Sequence, residues 1–213
     1  MIVIVVANLK GGVLKTTSTG FLCQAFHESG LRVLGVDADG ENKSLQAWQA
    51  DADLPWPVVG MAVSNIHKTL PGVAGDLYDV AVIDTPPMQA QRGTVVSALR
   101  LATHVMIPMA PTPIEFDRLI EVRKVLNDAT DLRPDGIPPA TAIMLNRTTR
   151  KATPQIVYRQ LCEEAGWTVL DAIVGTGQLY TQAWGSPIRR ASKTPFGDAA
   201  NELLDLEPEK VTA

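Results

Sequence analysis

The chain has 213 residues, 46% of them hydrophobic and 20% charged, so it is long enough to bury one substantial core. Its formal net charge of -4 excludes a generally basic nucleic-acid-binding protein, although a local basic patch on an acidic body stays open. Cys23 and Cys162 lie far apart with no histidine at metal-ligand spacing, so the sequence indicates neither a disulfide framework nor a zinc or iron–sulfur site. No apolar stretch approaches the roughly 20 residues that span a bilayer, and we expect a cytoplasmic protein.

Short apolar runs rich in β-branched residues recur along the chain and predict strands. These runs cover residues 2–7, 32–37, 80–84, 104–108 and 140–146. The segments between and after them predict helices at residues 16–28, 44–50, 94–101, 115–130, 154–164 and 195–204. Residues 51–75 are harder to interpret, with a possible strand near 57–61 and a short helix.

The predicted strands are continuously apolar rather than alternating, which indicates a sheet covered on both faces. We therefore predict an α/β fold with three layers, in which helices flank a mainly parallel, twisted sheet. A single domain should cover residues 1–206, and the polar residues 207–213 should form a flexible tail.

A glycine-rich turn joins the first predicted strand to the first predicted helix. Backbone N–H groups of such a turn, together with the positive end of the helix, surround phosphate oxygens. Lys15 can neutralise the β and γ phosphates, and the Thr16 hydroxyl can reach Mg²⁺. An ordinary strand-to-helix turn is the alternative, but Lys-Thr at the start of the helix disfavours it. The candidate nucleotide-binding residues of this loop are Gly11, Gly12, Val13, Leu14, Lys15, Thr16 and Thr17.

Three aspartates follow or end predicted strands, namely Asp37, Asp39 and Asp84. A magnesium nucleotide site needs a carboxylate near the metal and a group that positions the attacking water. Asp84 suits the metal role, through a metal-bound water. The common alternative for an aspartate at a strand end is a helix N-cap, and it stays open most of all for Asp37.

The loop does not follow the ordinary Walker A pattern, which would need glycine where Leu9 and Leu14 stand. Its pattern K-G-G-x-x-K-[ST] resembles the deviant Walker A loop of the ParA/MinD family of P-loop ATPases. Residues 34–42 (LGVDADGEN) resemble that family's D-x-D-P-Q-x-N segment, and residues 80–87 (VAVIDTPP) resemble its Walker B segment. Residues 104–113 are similar to its proline-containing strand and loop. The resemblance covers residues 2 to 147 well and the C-terminal third weakly.

This resemblance implies a P-loop ATPase with ATP and Mg²⁺ as cofactors and with slow, partner-stimulated hydrolysis. It implies that Lys10 reaches across a homodimer to the partner's nucleotide, so that Lys10, Lys15 and Asp39 form the catalytic set. Asp39 would position the attacking water, while Asp37 would support the metal region beside Thr16 and Asp84. Asn146 matches the strand-end asparagine that contacts adenine, although a turn-forming role is the alternative for it.

Leu14 stands where the family usually has glycine. If this position requires a positive φ, leucine adds strain that slows hydrolysis or alters nucleotide affinity. A nucleotide-binding switch with little hydrolysis therefore stays open.

A short ParA-type partition ATPase is the family member that the sequence resembles most. Its ATP-bound dimer would hold non-specific DNA, associate with the nucleoid, and be released by a ParB-like centromere-binding or adaptor protein. Because the sequence begins at the first strand, we expect no N-terminal helix-turn-helix extension. Electrostatic binding to phosphates needs only a basic patch, although a solvated surface is the alternative for any single residue. The candidate DNA-binding residues are Arg147, Arg150, Lys151, Arg189, Arg190 and Lys193.

Other members of the family stay open as alternatives. A MinD-like membrane switch would need a basic amphipathic C-terminal helix, whereas residues 201–210 are acidic and interrupted by Pro208, so no membrane partner is expected. Positioning of a protein cargo by the same cycle is not separable from partition by sequence. An electron-transfer ATPase is disfavoured, because neither cysteine is placed to hold a cluster between subunits.

Overall fold

A computed structural model describes residues 1–208 and shows one parallel sheet of seven strands in the order β3-β2-β4-β1-β5-β6-β7. The strands are β1 Ile2–Val6, β2 Val33–Asp37, β3 Val58–Gly60, β4 Val80–Asp84, β5 His104–Met109, β6 Ala140–Leu145 and β7 Thr168–Val169.

Helices connect successive strands and close the domain. They are α1 Lys15–Glu28, α2 Ser44–Ala52, α3 Ile66–Ala74, α4 Arg92–Leu101, α5 Pro113–Asp117, α6 Leu119–Asp131, α7 Thr153–Glu164, α8 Gln178–Thr181 and α9 Pro195–Leu204, with a 3₁₀ turn at Ala191–Lys193 before α9. Within residues 1–208, no helix combines the length and apolarity that crossing a bilayer requires.

The central strands are buried on both faces, and alternate side chains enter two separate cores. Val3 and Val5 of β1 belong to the core under α3, α4 and α6, whereas Ile4 and Val6 belong to the core under α1, α2 and α9. Parallel strands with crossover helices require this arrangement, since both faces must be shielded from water. The three-layer α/β prediction is therefore confirmed.

The prediction of one helix over residues 115–130 was wrong. The chain bends at Arg118, so that α5 and α6 are separate helices. Helix α6 buries a regular apolar stripe against the sheet, whereas no residue of α5 is buried. The apolar stripe of α6 therefore faces the core, while α5 stays nearer the surface.

In the uncertain middle segment, the strand near 57–61 and the short helix are both present, as β3 and α3. The sequence did not predict β7 or α8. The predicted tail extends to residue 213, and its residues 209–213 lie outside the part of the chain that the structure describes.

Candidate nucleotide site

The carboxyl ends of the parallel strands bring the predicted site residues to one edge of the sheet. Strand β1 lies between β4 and β5, and Val6, its last residue, is in register with Asp84 of β4 and Met106 of β5. Asp37, the last residue of β2, is in register with Asp84 as well. Connections leave β1 and its neighbours on opposite sides at such a switch point, and the crevice that forms there is where open α/β sheets bind ligands.

A cavity of about 310 Å³ opens at this edge. Most of the predicted loop residues line it, as does Asp39, whereas Val13, Asp37, Asp84 and Asn146 lie outside its lining. The sequence analysis did not predict Asn42, Ser44, Thr85 and Pro87 as lining residues. Each of these follows Asp39 or Asp84 within a few residues, and that proximity is the signal that was available.

The loop exposes its backbone to the cavity. Gly11 and Gly12 are exposed, and Gly12 has a φ of 74°. Leu14 precedes α1 with φ 68° and ψ 26°, so the condition under which leucine adds strain at this position is met. Leucine has no side-chain group that can cap a helix, so the first N–H groups of α1 stay available to an anion.

Lys15 is buried, and its Nζ donates to the carbonyl oxygen of Lys10 at 2.7 Å. Burial lowers the pKa of Lys15, and the charges of Asp84 and Asp39 oppose that shift. A phosphate at this position would supply a stronger partner for the ammonium group than a carbonyl does.

Thr16 and Asp84 form the second polar pair of the site. Thr16 Oγ1 donates to Asp84 Oδ2 at 2.6 Å, while the buried Asp84 Oδ1 has no partner among residues 1–208. Burial raises the pKa of Asp84 to about 7; the hydrogen bond from Thr16 acts against this rise, whereas the charge of Asp37 adds to it.

A hydroxyl and a carboxylate beside phosphates fit Mg²⁺, which keeps several waters and takes few protein ligands. The described residues contain no group of three or more histidine, cysteine, aspartate or glutamate side chains that could hold a metal by themselves. A divalent ion would therefore depend on Thr16, Asp84 and the nucleotide together.

Asp37 has both carboxylate oxygens engaged with backbone N–H groups. Oδ2 accepts from Leu45 and Gln46 at 3.0 Å each, at the start of α2, and Oδ1 accepts from Asp39 at 3.1 Å. Burial raises the pKa of Asp37, and these three hydrogen bonds partly offset that rise. The structure thus gives Asp37 the helix-capping role that the sequence analysis left open, and it places Asp37 outside the cavity.

Asp39 is half-buried at the cavity wall and orders the segment that follows it. Its Oδ1 accepts from the N–H groups of Glu41 and Asn42 at 3.2 Å each, and its Oδ2 accepts from Asn42 Nδ2 at 2.8 Å. Among residues 1–208, Oδ2 accepts only this one hydrogen bond, so Asp39 retains an acceptor position for a water at the cavity wall.

Two consecutive residues after β6 donate hydrogen bonds to carbonyl groups of the phosphate loop. Asn146 is buried and donates from Nδ2 to the carbonyl oxygen of Val13 at 3.0 Å, and its Oδ1 has no partner within residues 1–208. Arg147, which the sequence analysis grouped with the DNA-binding candidates, donates from Nη2 to the carbonyl oxygen of Gly12 and lines the cavity.

The other basic candidates are exposed, as Arg147 is, and they fall into two sets. Arg150 and Lys151 follow β6 at the same edge as the phosphate loop, and we call them the carboxyl-edge set. The amino-edge set comprises Arg189, Arg190 and Lys193. It flanks or belongs to the 3₁₀ turn that bonds to Glu28 at the far end of α1. A helix of 14 residues is about 21 Å long, so the two sets do not form one patch.

Lys10 is half-buried, and it does not line the cavity. Its side chain forms no ion pair with any of residues 1–208. Residues 1–208 therefore offer the Lys10 ammonium group no ion-pair partner.

Solved structures share this fold along their whole length. Apo McdA of Cyanothece superposes with a TM-score of 0.73 at 16% identity, over 96% of this chain and 99% of that one. The septum site-determining protein MinD from Pyrococcus horikoshii OT3, complexed with Mg-ADP, has a TM-score of 0.73 at 18% identity, over 96% of each chain. Cobyrinic acid a,c-diamide synthase from Mycobacterium smegmatis with bound ADP and magnesium has a TM-score of 0.70 at 18% identity, over 95% of this chain and 94% of that one.

Sequence comparison gives the family directly. No curated protein is similar enough in sequence to count as a relative of this chain. The profile of the CobQ/CobB/MinD/ParA nucleotide binding domain, however, matches residues 4–182, which is most of the chain. The ParA/MinD resemblance of the phosphate loop is thereby confirmed, and the chain belongs to the CobQ/CobB/MinD/ParA nucleotide-binding domain family.

Proposed function

We propose that this chain is a ParA-type ATPase, which forms an ATP-dependent homodimer on non-specific DNA and leaves it when a ParB-like partner stimulates hydrolysis. The observation that carries the proposal is the phosphate loop, with buried Lys15 in the cavity and the Thr16–Asp84 pair beside it. In this role the protein would be cytoplasmic and would associate with the nucleoid when ATP is bound, driving partition of a plasmid or a chromosome.

ATP and Mg²⁺ match the chemistry of the cavity. The triphosphate would replace the Lys10 carbonyl as the partner of Lys15 Nζ, with the free N–H groups of α1 and of the loop around it. Thr16 and Asp84 would hold Mg²⁺, which supplies charge neutralisation at the β and γ phosphates when bound. Two of the solved structures with this fold contain ADP with magnesium, which supports the assignment.

Hydrolysis needs two further groups. Asp39 lines the cavity, whereas Asp37 and Asp84 do not. We therefore assign to Asp39 the orientation of the attacking water. Lys10 supplies the second group, an added cation at the γ phosphate of the partner subunit, which acts as an arginine finger does. This assignment is supported by the lack of an ion pair between Lys10 and any residue of the described part of the chain, 1–208.

The DNA part of the proposal rests on the two exposed basic sets. It is tested by the anisotropy of a labelled duplex of arbitrary sequence at several salt concentrations, with Mg·ATP, with Mg·ADP and without nucleotide. Binding should require ATP and should weaken steeply with salt, because each phosphate contact contributes about -0.9 to the slope of log K against log salt.

Double variants separate the two sets. Arg150→Gln with Lys151→Asn removes the carboxyl-edge charges, and Arg189→Gln with Arg190→Asn removes two amino-edge charges. Asparagine is chosen at 151 and 190 because both residues have positive φ. Lys68→Gln with Lys124→Gln makes the same charge change on exposed helical positions. The DNA-contacting set is the one whose loss lowers the salt slope by about 2 relative to this control. ATP binding without any ATP-dependent DNA binding would overturn the partition role.

Positioning of a protein cargo by the same cycle is the second candidate function. The fold superposes equally well on McdA and on MinD, a septum site-determining protein, with a TM-score of 0.73 for each. Helix α9 ends at Leu204, and residues 205–208 include Asp205 and Glu207, which does not favour an anionic membrane as the surface. The protein that stimulates hydrolysis discriminates the two candidates, since a partition partner binds a specific DNA site and a cargo adaptor does not.

A further inference from the structure

We propose that Arg147 is a positioning residue of the phosphate loop, which fixes the peptide between Gly12 and Val13, and with it the direction of its N–H group, before a phosphate binds. The inference deepens the proposed function, and it rests on that proposal only as far as nucleotide binding.

The contact that carries the inference joins the end of β6 to the loop. Arg147 donates from Nη2 to the carbonyl oxygen of Gly12, and the preceding residue, Asn146, donates to the carbonyl oxygen of Val13 at 3.0 Å. Two consecutive side chains thus hold two consecutive carbonyl groups. Asn146 and Leu145 are both buried, so the exposed Arg147 follows directly after a buried strand end.

Holding these carbonyl groups also sets the direction of the N–H groups. In a planar trans peptide the C=O and the N–H of one unit point in opposite directions. When Arg147 holds the Gly12 oxygen, the N–H of Val13 points away from the guanidinium group, and when Asn146 holds the Val13 oxygen, the N–H of Leu14 is fixed in the same way. Successive oriented N–H groups are what a phosphate-binding loop supplies.

The loop needs such an anchor at this position in particular. Gly11 and Gly12 have no Cβ, are exposed, and include a positive φ of 74° at Gly12, so the backbone here has more rotational freedom than elsewhere in the loop. Fixing one of its peptides before the ligand arrives lowers the ordering entropy that nucleotide binding has to overcome.

Arg147 differs in its contacts from the basic residues that follow it. The side chains of Arg150 and Lys151 form no hydrogen bond or ion pair within residues 1–208, as expected of solvated cations. The guanidinium group of Arg147 is exposed as well, but it donates one hydrogen bond to the loop and lines the cavity. The left-handed conformation of Arg147, with φ 51°, is shared by Lys151, with φ 69°, so the contact with Gly12 and not the backbone sets Arg147 apart.

The test is calorimetric titration of Arg147→Asn with Mg·ADP, a ligand that is not turned over. Asparagine tolerates the positive φ at this position, so the backbone should be preserved while the contact to Gly12 is lost. We expect affinity to fall about 10-fold, the size expected for one hydrogen bond from a charged donor. Because the loop is positioned alike for substrate and transition state, KM for ATP should rise while kcat stays within about 2-fold.

Arg147→Lys tests the donor itself, since it retains a cation that can reach the carbonyl group and should recover part of the lost affinity. Lys151→Asn is the matched variant: its residue is exposed, basic and left-handed, with φ 69°, and lies four positions further on. Its Mg·ADP affinity should be like that of the wild type, and its DNA binding at saturating ATP should be weaker if the carboxyl-edge set is the one that contacts DNA.

Wild-type Mg·ADP affinity in Arg147→Asn would overturn the inference and leave the proposed function intact. Equal loss of DNA binding in Arg147→Asn and Lys151→Asn at saturating ATP would return Arg147 to the DNA-binding set. If the unmodified protein does not bind Mg·ADP, the proposed function and the inference both fail.

Discussion

Leu14 has φ 68° and ψ 26°, a conformation in which the Cβ of an L-residue approaches the following carbonyl oxygen. Nothing about leucine favours this turn, so the surrounding loop must impose it: Asn146 holds the preceding carbonyl group, and α1 begins with the next residue. Strain at a functional turn is common, because the geometry that binds ligand overrides local preference.

Leu14→Gly should relieve that strain. Glycine adopts positive φ freely, although it also gains entropy in the unfolded chain, so the net increase in the free energy of unfolding should be about 1 kcal/mol. If strain also limits catalysis, basal ATP hydrolysis should rise as well. Urea unfolding and a phosphate-release assay measure the two effects separately.

Asp53→Gly is the control for Leu14→Gly, since Asp53 also has a positive φ, of 46°, but follows α2 and does not line the cavity. It should raise stability by less, because aspartate tolerates this conformation better than leucine does, and it should not change hydrolysis. Faster hydrolysis in Asp53→Gly would mean that general stabilisation, and not the loop, controls the rate.

The nucleotide site could be predicted at those residues whose role follows from their place next to a strand end. Lys15, Thr16 and Asp84 come from spacing along the chain, because a parallel sheet brings its carboxyl ends together. The role of Arg147 could not be predicted, because its contact with Gly12 depends on a left-handed turn after β6 that arginine does not favour. Asp37 was open between two roles until the position of α2 was known.

At the scale of elements, the C-terminal segment is attached to α1 through an aromatic cluster and a carboxylate. Phe21, Tyr180 and Phe196 have ring centroids 5.0 to 5.5 Å apart. The carboxylate of Glu28, the last residue of α1, accepts hydrogen bonds from the N–H groups of Ala191 and Ser192. These contacts fix the segment that carries the amino-edge basic set.

Glu28→Gln should therefore destabilise the protein in a pH-dependent way. Burial raises the pKa of Glu28, but hydrogen bonds, chiefly from Ser192, outweigh burial and lower the pKa to about 2. An unfolded chain has a glutamate pKa of about 4.3, so the stabilisation is complete above that pH and is lost as the pH falls towards 2. The difference in free energy of unfolding between Glu28→Gln and wild type should be about 1 kcal/mol at pH 7 and smaller at pH 3.5.

Glu164→Gln is a close control for Glu28→Gln. Glu164 also ends a helix and also accepts from a glutamine four residues earlier, as Glu28 does from Gln24. It lacks the contacts to a second segment, so its substitution should change stability by less than about 0.5 kcal/mol. An equal loss in both variants at pH 7 would show that the hydrogen bonds to residues 191 and 192 do not matter.

The elements that could be predicted are those with long periodic or continuously apolar patterns, such as β1, β4 and α1. Strand β7 has two residues and is defined by its pairing with β6, which no local pattern encodes. The break between α5 and α6 was missed because Arg118 is compatible with a helix and keeps near-helical dihedrals, φ -75° and ψ -16°.

At the scale of the whole molecule, the two lysines of the phosphate loop differ in position relative to the cavity. Lys15 is buried in the cavity of its own chain, whereas Lys10 lies five residues away and outside the cavity lining. Under the proposed function one chain is therefore half of a catalytic unit, and hydrolysis should require a two-fold symmetric dimer.

Mixing two inactive variants tests whether Lys10 acts in the partner subunit. Lys10→Ala and Asp39→Ala should each abolish hydrolysis alone, while both still bind Mg·ATP through Lys15. In a mixed dimer, one site combines the Asp39 of the Lys10→Ala subunit with the Lys10 of the Asp39→Ala subunit, and is complete. With random pairing at equal concentrations, about a quarter of the wild-type turnover should return. If Lys10 acts within its own chain, no mixture recovers activity, and the dimeric site is wrong. Lys15→Ala in place of Lys10→Ala is the control: it removes the nucleotide-binding lysine from the only site that retains Asp39, so its mixture with Asp39→Ala should stay inactive.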